Sequence, residues 1–381
     1  LDFQQCVLRS ALLQSRAKTY GEIQEIQMSE KNKEPTLVFD QERASNFMTT
    51  AQILFAGGSG FVGRTAVRWF RDRHPDIPVL VGGRNLQAAS EVAQEVGAAE
   101  AVAIDLDKPQ LGLDDDIAVA AVVMLAPEAG LKGLSYAQDL GIPYLNINAA
   151  LTEIGPELAL FAHRATAAPV VLASHWMAGA ATFLALNSAK GFEIVRSIRF
   201  GAIVDEKDSV GPAAIEDMER VHGAAPAALV FENGRRVWLS GDAAKGKVES
   251  VDGRSLNATA FSTFDTVSLH AATGAADVRF DLVNGESSSL RVGGEAATEI
   301  IVEIEGESDG RTKRSRSMLT FKHGTASLTG LSVVLSLASV LGLNARSPAR
   351  SGLYLPELLS DTKWFLDELR SAGATIYEDS N

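Results

Sequence analysis

From Ala51 to Ser174, short unbroken apolar runs alternate with stretches where apolar side chains recur every three or four residues. The first pattern predicts buried strands and the second amphipathic helices. Gln52–Ala56 reads as a strand. Phe61–Arg73 reads as a helix, with Val62, Ala66, Val67 and Phe70 on one face. Pro75 and Pro78 end that helix and open a second strand, Val79–Val81. Leu86–Val96 predicts a helix stopped by Gly97, and Ala101–Leu106 a third strand. After Asp114-Asp115-Asp116 comes a long apolar fourth strand, Ile117–Leu125. A helix over Glu128–Leu140 is closed by Gly141 and followed by a fifth strand, Tyr144–Asn148. Ile154–Thr166 is a further helix and Pro169–Ala173 a sixth strand. Near-continuous apolar strands separated by helices imply a parallel sheet covered on both faces, in a doubly wound α/β fold.

Past His175 the rhythm changes. Ala178–Ser188 reads as a helix rich in small residues. Strand-like stretches follow at Glu193–Val204, Ala228–Phe231, Arg236–Leu239, Thr259–Leu269, Val278–Leu282, Glu299–Glu305 and Ser317–Phe321, with a helix at Ala213–Val221 among them. Asn233-Gly234 between apolar runs is a hairpin turn signal. This is a second, α+β domain with a mostly antiparallel sheet. Thr325–Leu343 and Leu353–Leu369 then predict two C-terminal helices. Leu331–Leu343 is interrupted by serines and too short to span a bilayer. The polar segment ahead of Ala51 shows no sustained periodicity and no signal-peptide core. It is expected to be a flexible extension or an artefact of the gene start, with a short helix at Phe3–Leu13 and Met48 just ahead of the first strand. The expected boundaries are thus 1–50 for the extension, 51–175 for the first domain, 176–324 for the second, and 325–381 for helices returning to the first.

The junction between the first strand and helix changes the picture most. It reads AQILFAGGSGFVGR, with Gly57, Gly58, Gly60 and Gly63 arranged as both GxxGxxG and GxGxxG. A strand, a glycine turn and a helix start form a dinucleotide-binding corner. The first glycine permits the turn, the second lets backbone approach a pyrophosphate, and the third lets the helix pack on the strand. On this reading Gly57, Gly58, Ser59, Gly60, Phe61, Val62 and Gly63 hold the cofactor's phosphates. The alternative is a βα turn with a structural role alone.

Composition narrows the classes. Of 381 residues, 46% are hydrophobic, enough for a large core, and the net charge of −13 argues against nucleic acid and anionic membrane as partners. The single cysteine, Cys6, rules out an intrachain disulfide framework and fits a reducing, cytoplasmic location. The six histidines show no zinc-type spacing, so no metal is expected.

Other candidates stand at strand ends, where open α/β sheets bind ligands. The second strand ends Gly82-Gly83-Arg84-Asn85 with no carboxylate. Gly83, Arg84 and Asn85 therefore favour the 2′-phosphate of NADP over the 2′-hydroxyl of NAD; the alternative is an exposed loop arginine. Asp105 either accepts from the adenine amine or caps a turn. Leu125, Ala126 and Pro127 are small and uncharged enough to pass beneath the phosphates and the nicotinamide ribose. Strand ends five and six carry Asn146, Asn148, Ser174, His175 and Trp176. His175 is the candidate general acid and Asn148 the candidate substrate-orienting group. The alternatives are a packed histidine and a helix cap. His163, His222, His270 and His323 have weaker positional arguments. Arg196 and Arg199 alternate with apolar residues and either meet a substrate carboxylate or line an exposed strand face.

The glycine turn also suits extended short-chain dehydrogenases, which pair a Tyr with a Lys four residues on. Here Tyr136, Tyr144 and Tyr354 are followed at that distance by Leu140, Asn148 and Leu358, which argues against that family. The chain instead resembles the saccharopine dehydrogenase-like oxidoreductases. The resemblance is carried by GGSGFVGRTAV, VLVGGRN, GIPYLNIN, EIIVEIEGESDGRTKRS and the late GLYLPELL, and runs from Ala51 to about the C-terminus. It implies a Rossmann domain, an inserted α/β substrate domain, a nicotinamide cofactor, a homodimer, and hydride transfer at a carbon–nitrogen bond of a small amino-acid-like metabolite. Two stretches depart from the family pattern: Asn146 or Asn148 where members often carry Asp, and SHWMAGA where members often carry a GxxPG turn. The residues themselves leave two further readings open: a reductase acting on a carbonyl, and a nucleotide-binding regulatory module without turnover.

Overall fold

The computed structural model describes residues 51–380 except 148–149, 209–210, 212–214, 217–218, 222 and 224. The N-terminal extension, Asn148, His222 and much of the expected helix Ala213–Val221 lie outside the described residues.

The first described strand lies in the middle of its sheet. β1 (Gln52–Ala56) is buried along its whole length and pairs in parallel with β2 (Val79–Gly83) on one side and β4 (Val119–Met124) on the other. An edge strand could not be this uniformly apolar, because one side would meet water. β3 (Ala99–Ala103) lies beyond β2, while β5 (Tyr144–Asn146) and β6 (Pro169–Leu172) lie beyond β4. A seventh parallel strand, β15 (Gly352–Tyr354), comes from near the C-terminus and pairs with β6. The order β15-β6-β5-β4-β1-β2-β3 reverses direction between β1 and β4. That reversal opens the crevice in which such sheets bind ligands.

Helices cover both faces. On one, α1 (Phe61–Arg73) buries Gly63, Ala66, Val67 and Phe70, and α2 (Leu86–Val96) buries Ala89, Val92 and Ala93. Arg71 ties their ends together: its guanidinium donates to the carbonyls of Gly97, His74 and Ile77. On the other face, α3 (Lys132–Leu140) and α4 (Ile154–His163) pack over Tyr144, Val170 and Leu172.

The second sheet has nine strands and is mostly antiparallel. Its centre is β7 (Ile194–Val204), which runs parallel to β12 (Asp277–Asn284) and antiparallel to β13 (Thr298–Ser308). β8 (Ala228–Glu232) and β9 (Arg235–Leu239) form the hairpin expected at Asn233-Gly234, both with positive φ as that turn requires. α5 (Ala180–Ala189) and α6 (Phe264–Thr273) lie against this sheet.

α7 (Thr325–Leu341) joins the two halves. Leu328, Leu331 and Leu335 enter the core of the second domain, while Val333, Val334, Leu337, Val340 and Leu341 enter that of the first. Gly330 allows the crossing with α1: a Cβ there would lie 2.3 Å from Thr65 Oγ1 and 2.7 Å from the Ala66 nitrogen. Thr65 donates to the Ala326 carbonyl at 2.9 Å, and Trp69 Nε1 to Ser327 Oγ at 3.1 Å.

Two expected elements differ. The strand read over Thr259–Leu269 is the end of β11 (Ser255–Ala260) followed by the start of α6. Phe, Thr and Val there are β-formers by habit, but Thr263 is extended and Asp265 sits in the first helical turn. The single helix read over Leu353–Leu369 is β15, a short helical turn Pro356–Leu359, and α8 (Thr362–Ser371). Pro356 opens the turn and Asp361 caps α8 by accepting from the Trp364 amide at 3.1 Å. The chain then adds β16 (Thr375–Ser380) to the edge of the second sheet, a strand absent from the sequence reading. Among the described residues no helix is long and apolar enough to cross a membrane.

Candidate functional site

The glycine turn sits at the C-terminal end of β1, at the mouth of the crevice. Its backbone is stitched internally. The Gly57 and Gly58 amides donate to the Gly82 carbonyl, the Gly58 amide also to Phe55, and the Gly60 amide to Gly57. The amides of Phe61, Val62 and Gly63, which open α1, have no carbonyl one turn back to bond. Gly60 stands at the helix cap with no side chain to satisfy them, and the first turn holds no carboxylate. This is the electrostatic setting that suits an anion.

The four glycines have different reasons to be glycine. Gly57 has φ +86°, and a Cβ there would meet Ala126. At Gly58 a Cβ would lie 2.8 Å from the Phe55 carbonyl. At Gly63 it would lie 2.1 Å from the Gly57 carbonyl and 2.7 Å from Gly58 Cα, so this glycine lets α1 close on the turn. Gly60 is exposed, its φ of −72° suits any residue, and a Cβ would meet only the Gly57 carbonyl at 3.2 Å. Among the described residues no other atom outside its chain neighbours lies within 4 Å of that position.

The neighbouring candidates gather around the same corner. Ser59 Oγ lies 2.9 Å from where a Gly83 Cβ would stand, linking the turn to the end of β2. Arg84 is exposed just beyond. Asn85 caps α2 by accepting from the Ala88 amide at 3.2 Å. Leu125 donates its amide to Ala56, and Ala126 lies against Gly57, so the end of β4 borders the turn; Pro127 is exposed just beyond it. Asp105 takes the turn-capping option: it accepts from the Asp107 amide at 3.1 Å and pairs with Lys108 at 3.3 Å.

The turn opens into a cavity of about 480 Å³ between α1 and the second domain. Ser59, Gly60, Phe61, Arg64 and Thr65 form one wall. Lys207, Asp208, Lys322 and His323 face them. Asp208 accepts from the Thr325 amide at 2.6 Å and so caps α7. Of these groups the sequence reading singled out only Ser59, Gly60 and Phe61, and gave His323 a weak place. Arg64 stands in the first turns of α1, Lys207 in the loop after β7, and Lys322 directly after the strand that ends at Phe321. Their meeting depends on how the domains pack, which no local pattern encodes.

His175 does not border this cavity. Its side chain is fully buried, 3.5 Å through Nε2 from Glu357 Oε2 and edge-on to Phe264. Burial alone would depress its pKa, but Glu357 and then Asp265 outweigh burial and hold it above its ordinary value. Burial would raise the Glu357 pKa, but His175 outweighs it and holds it below the ordinary value. Ser268 donates to the other oxygen of Glu357, and Asp265 accepts from Thr182 and from the Trp176 amide, each at 2.6 Å. The cluster ties the end of the first sheet to α6 and to the turn Pro356–Leu359. With no exposed side-chain atom, His175 in this arrangement serves that joint and has no path, among the described residues, for handing a proton to a substrate.

A second buried acidic group lies where β4 and β5 end. Tyr144 donates to Glu128 at 3.1 Å, and Asn146 to Glu157. The other Glu157 oxygen is buried without a described partner. Burial, with the Glu128 charge adding, pushes the Glu157 pKa up to about 7. Asn146 is therefore held from below rather than free at the crevice.

No protein-family model matches the chain, and no curated protein sequence matches it. Solved structures do. Saccharopine dehydrogenase (L-Glu forming) from Saccharomyces cerevisiae superposes with a TM-score of 0.62 at 14% identity, over 87% of this chain and all of that one. The myo-inositol dehydrogenase from Corynebacterium glutamicum (TM-score 0.42, 12% identity, 86% and 98% covered) is more distant. So is GenD2 of gentamicin A biosynthesis, solved with NAD (0.42, 12%, 86% and 97%). The chain therefore shares its fold, across both domains, with saccharopine dehydrogenase, as its sequence motifs suggested.

Proposed function

We propose that the protein is a nicotinamide-dinucleotide-dependent oxidoreductase that prefers NADP and acts at the carbon–nitrogen bond of a small amino-acid-like metabolite. One observation carries the cofactor part of this reading. Among the described residues, a Cβ at Gly60 would meet only the Gly57 carbonyl within 4 Å, and the first three amides of α1 at that end have no carbonyl one turn back. A cradle that a side chain would fill, at the positive end of a helix, fits a diphosphate. The preference for NADP is supported by Arg84 at the end of β2 with no carboxylate beside it. The fold shared with saccharopine dehydrogenase favours the carbon–nitrogen bond.

Once bound, the nicotinamide ring supplies or accepts the hydride. The chain's part is to hold the diphosphate at the turn, to seat the adenosine beside Ser59 and Arg84, and to keep the substrate in the interdomain cavity. His323 is the histidine that lines that cavity, and the proton transfer is assigned to it on that position.

The test is titration with NADPH and NADH, followed by a panel of amines with keto acids, read by NADPH absorbance. Tighter NADPH binding and substrate-dependent oxidation support the whole reading. Binding without turnover on any member leaves the nucleotide site and removes the reaction. Failure to bind either nucleotide removes both.

A further inference from the structure

The cavity beyond the glycine turn is more basic than a diphosphate seat requires. Arg64 comes from α1, Lys207 from the loop after β7, and Lys322 from the junction of β14 (Arg311–Phe321) with α7. Three distant segments thus bring three cations to one hollow, in a chain whose net charge is −13. Among the described residues none of the three is ion-paired. Asp208, the one carboxylate among the described residues of the wall, accepts from the α7 cap. Within the described wall three cations stand against one carboxylate, with Glu95 near Arg64 and Asp205 near Lys207 offsetting part of the surplus. Like charges held together repel, and a dianion placed among them relieves that cost.

Arg64 lies on α1 beyond its first three residues, and Lys207 and Lys322 come from the second domain. Phe61, Arg64 and Thr65 share the flank of α1 that faces α7, three and four residues apart. The ring of Phe61, half exposed, gives that flank an apolar wall. The cavity volume of about 480 Å³ lies within the range for organic ligands.

We infer that the side of this cavity formed by Arg64, Lys207 and Lys322 is a binding site for a doubly charged oxyanion with a small carbon body, adjoining the diphosphate seat with which the cavity shares Ser59, Gly60 and Phe61. If the dinucleotide reading above holds, that oxyanion is the anionic end of the substrate. A phosphate ester and a dicarboxylate present the same chemistry to Arg64, Lys207 and Lys322.

The test is calorimetric titration of NADPH-saturated protein with inorganic phosphate and, separately, malonate. Binding is expected for at least one, and the tighter probe identifies the class. Lys207→Ala and Lys322→Ala should each weaken it about tenfold, the loss of one charge-assisted contact, while leaving NADPH affinity unchanged. Exposed lysines are chosen so that folding is not at risk. The inference is overturned if neither anion binds, if NADPH displaces the anion, or if anion binding ignores both lysines. Lysine-dependent anion binding in a protein that binds no NADPH would sustain the oxyanion site and defeat the cofactor reading.

Discussion

Gly60 and Gly63 separate ligand space from packing space, and a pair of substitutions exploits the difference. Gly60→Val places a branched side chain where only the Gly57 carbonyl is near, at 3.2 Å, on a backbone any residue adopts. The folded protein should tolerate it, with a stability change of about 1 kcal/mol or less. The same side chain occupies the approach to the α1 amides. Losing two charge-assisted hydrogen bonds there costs about 3–6 kcal/mol, or roughly two to four orders of magnitude in NADPH affinity. Gly63→Ala inverts the pattern. Its Cβ would sit 2.1 Å from one backbone atom and 2.7 Å from another, so α1 must lift off the turn. That overpacking costs about 1–3 kcal/mol or more of stability. Thermal melts report the first quantity and fluorescence titration of NADPH the second. If Gly60→Val melts normally and binds NADPH within about threefold of the parent, the diphosphate does not sit at this turn.

Further outcomes follow from other parts of the molecule. Arg84→Glu should weaken NADPH about tenfold or more and spare NADH, measured as the ratio of the two dissociation constants; an unchanged ratio would remove Arg84 from cofactor choice. Glu157 has a folded pKa of about 7, above its unfolded value, so its proton is lost at higher cost in the native state. Its contribution therefore declines as pH rises from about 4.5 to 7, by about 3 kcal/mol. Glu157→Gln should flatten that decline and stabilise the protein at pH 8 but not at pH 4, as denaturant melts would show. The His175–Glu357 pair works in the opposite sense at each end. Glu357, lowered, loses its contribution as pH falls through its folded pKa, and His175, raised, loses its own as pH rises through its folded pKa. His175→Gln should cost about 3 kcal/mol or more by leaving Glu357 buried without its partner. Turnover per folded molecule should change little; a drop of about two orders of magnitude would return His175 to the chemistry.

Much of the first domain was legible because parallel strands buried on both faces must be apolar throughout, as in Ile53–Ala56 and Val119–Met124. The glycine turn was legible for the same kind of reason: Gly57, Gly58 and Gly63 each answer a local steric demand. Legibility failed where residues depend on distant partners. β15 and β16 are short, and only their places at the edges of sheets built far earlier in the chain make them strands. His175 stands at the end of β6, where a catalytic group would stand. Its fate was decided by Glu357, 182 residues later (357 − 175), which no spacing rule connects to it. The cations of the cavity escaped notice for the same reason.

The helix Thr325–Leu341 limits how this molecule can move. Leu328, Leu331 and Leu335 belong to one core, and Val333, Val334, Leu337, Val340 and Leu341 to the other, along a single rigid rod. A wide swing of one lobe away from the other would tear apolar side chains out of one interior. Opening and shutting of the cleft is thereby confined to slight sliding of α7 along α1, or to the loops at its rim. Ligand entry and exit would then depend on chain segments such as the one carrying Lys207, while both lobes stay in place.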